Sequence, residues 1–93
     1  HEAAQLLVYR AAWLKDQGLP NQHQTSMAKL FASEAAVHAT SETMKIFGSY
    51  GYSTEYPAER FLRDAHSLRV VEGTSNIQKT IVAGISLGDV PNR

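Results

Sequence analysis

An all-α fold, one antiparallel helical bundle spanning residues 1–93, is what this sequence predicts, and three observations carry the prediction. Apolar residues recur at three- and four-residue steps through most of the chain, the period of a helix with one buried face. The strongest breakers, Gly18-Leu19-Pro20, Gly48 to Gly51 and Gly73, stand between the periodic stretches. No linker, repeat or low-complexity tract interrupts them, so three substantial helices and one short one form a single up-down unit.

From Glu2 to Gln17 the helical period is kept by Ala3, Leu6, Leu7, Ala11, Trp13 and Leu14, and Gly18 and Pro20 stop it. Tyr9 and Trp13 are expected to pack between helices. The pattern begins at His1 with no capping residue ahead of it, which reads as a chain that continues upstream. Asn21 to Phe47 reads as one long helix, capped between Asn21 and Ser26, with Met27, Leu30, Phe31, Val37, Met44 and Phe47 as its main apolar contacts. Ala32, Ser33, Ala35, Ala36, Ala39, Thr40 and Ser41 are small enough to admit close neighbours, so this helix should be central. His38 is expected to be partly buried with a hydrogen-bond partner.

Gly48 to Ser53, with two Gly and two Tyr, predicts a loop. Pro57 suits the first turn of a short helix to about Ala65, with Thr54 or Tyr56 near its cap. Arg63 and Asp64 are adjacent, so they point to different sides, and both read as anchors of the connection that follows. His66 to Val71, ending in β-branched Val70 and Val71, is expected to run extended. The last helix spans Thr74 to Leu87 and stops at Gly88, leaving Asp89 to Arg93 as a tail.

Composition excludes several classes of function. Nine basic and nine acidic residues balance to zero net charge, so no broad field gathers nucleic acid or anionic membrane. Cysteine is absent, and the four histidines show no pair at ligand spacing on one helix face, so no metal site is expected. No apolar run approaches the roughly 20 residues that span a bilayer, and the opening residues do not read as a signal peptide. A soluble protein is expected. A 93-residue domain buries a thin core and has a narrow stability margin without a partner.

The chemistry concentrates in Val70-Val71-Glu72-Gly73-Thr74-Ser75-Asn76-Ile77-Gln78, where a carboxylate stands between an apolar pair and a helix start. Gly73 allows close backbone approach to a ligand, and Thr74 and Ser75 are capping residues. The unpaired N–H groups and positive dipole of a helix N-terminus seat phosphate or other anions. A base and an anion site are offered together. The same residues also suit a Glu that merely complements the dipole, worth about 0.3–1 kcal/mol.

Three strings occur in one order at close spacing: Gly48-Ser49-Tyr50-Gly51-Tyr52, Glu59-Arg60-Phe61-Leu62-Arg63-Asp64-Ala65, and Glu72 to Gln78. Together they resemble the C-terminal helical domain of the FAD-dependent acyl-CoA dehydrogenase family, and the likeness runs from about Ala3 to Ile85. The resemblance implies a fragment of a larger flavoenzyme that lacks the first long helix of that domain. It implies α,β-dehydrogenation of an acyl thioester, with Glu72 as the base that removes the α-proton. Burial against Val70, Val71 and a flavin would raise the Glu72 pKa to suit that role. The backbone N–H of Gly73 would polarise the substrate carbonyl.

By the same resemblance Thr74, Ser75 and Asn76 contact the flavin, and Lys45, Ile46, Phe47, Gly48 and Ser49 reach the flavin of a neighbouring subunit. A homo-oligomer, a dimer of dimers, is implied, with acyl-CoA as substrate and an electron-transfer flavoprotein or similar acceptor as partner. The location implied is cytoplasmic in a bacterium and the mitochondrial matrix in a eukaryote. Four positions depart from the usual family pattern: Lys45 for Gln, Ser49 for Gly, Val71 for an aromatic and Gly84 for Arg. An alternative reading keeps the fold without the reaction, as a helical interaction or nucleic-acid-binding module. That module would need a basic face, which zero net charge opposes.

Overall fold

The computed structural model describes residues 1–93 and is all-helical. Its α-helices are α1 (Glu2–Asp16), α2 (Gln22–Phe47), α3 (Ala58–Ser67) and α4 (Ser75–Ser86), with a 3-10 turn over Gly48–Tyr52 between α2 and α3. The expected bundle is present, and α2 is its spine. Helices α1, α3 and α4 each pack on α2, while α1 touches neither α3 nor α4. Small residues permit this, since Ser26, Ala28 and Ser33 are the buried positions of α2. No helix is long and apolar enough to cross a membrane.

The core is thin. Its buried apolar residues are Ala4, Ala11, Leu14, Ala28, Ala58 and Ala65, five of the six being alanine. The Cα radius of gyration is 15.8 Å, against about 12 Å for a compact globule of this length. The molecule is therefore a slab 48 × 24 × 17 Å, with α2 along its length. Tyr9 and Trp13, expected between helices, are 61% and 54% exposed. The buried face of α1 is Ala4, Ala11 and Leu14, and both rings project from its flank. His38 is likewise exposed.

Three connections differ from expectation. Gly48 to Ser53 tightens into a 3-10 turn, and the rings of Tyr50 and Phe47 meet Tyr56 at 5.4 and 5.9 Å. Helix α3 is capped at Pro57 without a side-chain bond, so neither Thr54 nor Tyr56 caps it. His66 to Val71 is not extended: α3 continues to Ser67, and the N–H groups of Leu68, Arg69, Val70 and Val71 bond back to Ala65, His66 and Ser67 at 3.0–3.1 Å. Backbone groups that can pair locally outweigh the β preference of two valines.

The tail is docked on α2. Asn21 and Gln22 donate their N–H groups to the Arg93 carbonyl at 2.8 Å, and the His23 N–H donates to Asn92 Oδ1 at 2.9 Å. These are donors that a helix N-terminus leaves unpaired. Asn21 occupies the N-cap position without making a cap bond. Its side chain donates to the Leu19 carbonyl and accepts from Thr25 Oγ1.

Candidate active site

Glu72 is the one non-glycine residue with positive φ, at 55°, and Gly73 follows at 105°. A non-glycine residue held there costs about 1–3 kcal/mol and persists only where its surroundings fix it. The surroundings here are two side chains of α2. Lys29 Nζ donates to the Val71 carbonyl at 2.9 Å and to the Gly73 carbonyl, one on either side of Glu72. Glu34 Oε1 accepts from Arg69 Nε and from Ser75 Oγ, both at 3.0 Å. The turn that carries the carboxylate is thus tied to the spine before and after it.

Thr74 caps α4 as its residue type suggests, its Oγ1 accepting from the Ile77 N–H at 3.2 Å. Gly73 is required twice over, by its φ and because a Cβ there would overlap the amide of buried Gln78. The N–H groups of Gly73, Thr74 and Asn76 make no hydrogen bond within the chain. They stand at the positive end of α4, beside a cleft of about 360 Å³ lined by His66, Arg69, Val70, Thr74, Ser75 and Asn76. Free N–H donors, hydroxyls and a guanidinium around an open cleft fit the phosphates and hydrogen-bonding ring edge of a flavin dinucleotide.

The apolar surroundings expected for Glu72 are absent from this chain. Glu72 is exposed, as are Val70 and Val71, at 65% and 49%. The backbone of the turn faces α2 through its carbonyls, which leaves these side chains on the outer surface. Arg63 and Asp64 do not anchor the connection either. Arg63 pairs along α3 with Glu59 at 2.7 Å, holding that carboxyl below its ordinary range. The anchor is Arg69.

The second expected cofactor segment lies elsewhere. Gly48 stands nineteen residues beyond Lys29, about 28 Å along the helix. One chain therefore does not bring Lys45 to Ser49 together with Thr74 to Asn76. All five residues from Lys45 to Ser49 are exposed, Ile46 at 84%. Lys45 Nζ pairs with Glu42 at 2.9 Å and lowers its pKa. Gly48 ends α2 at φ 63°, with open space where a Cβ would stand. Gly84 is remote from Glu72, about 15 Å along α4 from Thr74, and lies under Val90 of the tail.

Sequence reasoning missed Lys29, Glu34, Arg69 and Gln78. A signal for the first two was present: Lys29 and Glu34 are the only Asp, Glu, Lys or Arg residues between Gln22 and Ser41, in a helix of small and apolar residues. Charges so placed need partners from another element.

Comparison with known proteins identifies the family and the fold. Residues 1–87 match the family model for the acyl-CoA dehydrogenase C-terminal domain, and the chain belongs to that family. It is 49% identical over 82 residues to the cyclohexane-1-carbonyl-CoA dehydrogenase of Geobacter metallireducens, covering 88% of this chain and 22% of that protein. It superposes on the structure of a glutaryl-coenzyme A dehydrogenase in complex with glutaryl-CoA with a TM-score of 0.92 at 49% identity, covering 99% of this chain and 24% of that one. The FAD complex of PigA gives a TM-score of 0.87 at 34% identity, covering 94% of this chain and 22% of that one. The chain thus spans between a fifth and a quarter of the length of these relatives.

Proposed function

We propose that residues 1–93 form the C-terminal helical domain of a larger FAD-dependent acyl-CoA dehydrogenase, which introduces a double bond between Cα and Cβ of an acyl thioester. The observation that carries the reading is the backbone of Glu72, a carboxylate held in a costly conformation at the mouth of a helix N-terminus. Its family membership and the acyl-CoA and FAD named for its relatives support the same reading.

Glu72 takes the α-proton as general base. The other domains of the protein, the acyl chain and the cofactor supply the dry wall that this chain lacks. The unpaired N–H of Gly73 donates to the thioester carbonyl, which acidifies the α-carbon and stabilises the negative charge that develops on oxygen. FAD, when bound, accepts the β-hydrogen as hydride. Thr74, Ser75 and Asn76 hold the cofactor of this copy, while Lys45, Ile46, Phe47, Gly48 and Ser49 reach that of a neighbour. On the same reading, which the family likeness supports, the full protein is a dimer of dimers that passes electrons to an electron-transfer flavoprotein or similar acceptor.

Glu72→Gln in the full-length protein tests the base. The isostere keeps the shape of the side chain and loses the proton acceptor, so flavin content should stay unchanged while turnover falls about 10²–10⁴-fold. A Gln variant that keeps most of its turnover on its best acyl-CoA would place the base elsewhere.

A further inference from the structure

We infer that Lys29 is a positioning residue for the reaction, holding the Glu72 backbone in its left-handed conformation from the opposite helix. The inference rests on the proposed role of Glu72 and concerns a residue 43 positions away in sequence. Lys29 Nζ donates to the carbonyl oxygens of Val71 and Gly73, so the peptide group before Glu72 and the one after Gly73 are held by one ammonium. Those two peptide groups bracket the consecutive positive-φ residues Glu72 and Gly73, of which Glu72 carries a β-carbon that disfavours that conformation. Two charge-assisted bonds from a single donor outweigh the cost of one left-handed residue, and a neutral side chain offers no comparable hold.

Nothing else in this chain can take over that hold. Among the backbone groups of the turn, the Val71 N–H returns to Ser67 and the Ser75 N–H to Arg69, which fixes the ends of the segment and leaves its middle to Lys29. Glu34 grips Arg69 and Ser75, outside the three residues that carry the strain. The lysine reaches the turn because its own neighbours are small. Together with Ala28, Ala32, Ser33, Val8, Ala11 and Leu68, Lys29 lines an open groove, so no bulky side chain of that groove stands in its way. Lys29 touches backbone oxygen and no reacting atom. Its effect on catalysis passes through the direction in which Glu72 points, where a displacement of about 1 Å is worth up to a hundredfold in rate.

The test uses the full-length, flavin-loaded protein with Lys29→Met and Lys29→Arg beside the parent. Methionine keeps the stem and the helix propensity and removes the donor. Arginine restores a charged donor with different geometry. Lys29→Met is expected to lower kcat on an acyl-CoA by about ten- to a hundredfold, with KM and flavin content each within about twofold. Amide exchange at Val71 and Ser75 should accelerate by at least about tenfold as the turn loosens. Lys29→Arg should recover most of the kcat and most of the protection. Parental kcat with parental exchange in Lys29→Met overturns the inference. So does a loss of kcat that merely tracks a loss of flavin and that arginine does not rescue, because that is the behaviour of a residue needed only for folding. Glu72→Gln, measured in parallel, reports on the base alone, so an error in that assignment is separable from an error about Lys29.

Discussion

At the scale of single residues, the site is built on two adjacent positions with different tolerances. Glu72 at φ 55° lies in a region that a side chain can occupy at a cost, whereas Gly73 at 105° lies where a β-carbon is rarely found. Gly73 also has buried Gln78 beneath it, so alanine there meets strain and overlap together. Gly73→Ala is therefore expected to lower the unfolding free energy of the full-length protein by about 1–3 kcal/mol and to reduce turnover more than flavin content. Combining it with Gln78→Ala should relieve the overlap and leave the backbone strain, so the double variant recovers only part of the acyl-CoA turnover. Denaturant unfolding and steady-state kinetics on the three proteins check this. Full recovery in the double variant would show that φ is not the constraint.

At the scale of elements, helix starts and stops were legible and their partners were not. The three-to-four-residue period and the Gly-Pro breakers locate α1, α2 and α4 to within a residue or two, because each signal is local to the helix it describes. Glu72, Gly73 and Thr74 could be singled out for a similar reason, a charge beside a glycine and a cap. The ties to Lys29 and Glu34 could not, since they join residues about forty positions apart and depend on how α2 is rotated. Val70 and Val71 misled because β preference is a weak prior that four local backbone bonds override. The cap of α2 is a further case. A local reading places it between Asn21 and Ser26, yet the side chain that receives a first-turn N–H belongs to Asn92, 69 residues from His23. Asn92→Ala should then cost about 1 kcal/mol of stability, and more than Asn21→Ala. Amide exchange at Gln22 and His23 in the two variants decides it, and equal or reversed effects would remove the tail from the role of cap.

At the scale of the whole molecule, a core of five alanines and one leucine, and a radius of gyration well above that of a compact globule, describe a slab that needs more protein around it. The two segments proposed to hold flavin lie at opposite ends of that need. Thr74 to Asn76 stand near Lys29, and Lys45 to Ser49 stand about 28 Å further along a straight helix, too far to line one compact pocket with them. If both contact flavin, each chain serves two cofactors, and flavin retention must depend on assembly. Gly48 is where this can be tested without touching Glu72. Its φ of 63° disfavours any β-branched residue, but the space around it is open, so Gly48→Val strains the end of α2 without striking a neighbour in its own chain. In the full-length protein the variant is expected to sediment as smaller species and to lose bound flavin in proportion, with the cleft beside Thr74 intact. Were Gly48 only the C-terminal stop of α2, the same substitution would lower stability and leave flavin content tied to folded protein whatever its size. Sedimentation velocity with flavin absorbance recorded on the same boundary separates the two, and a folded monomer carrying full flavin would sink the shared site.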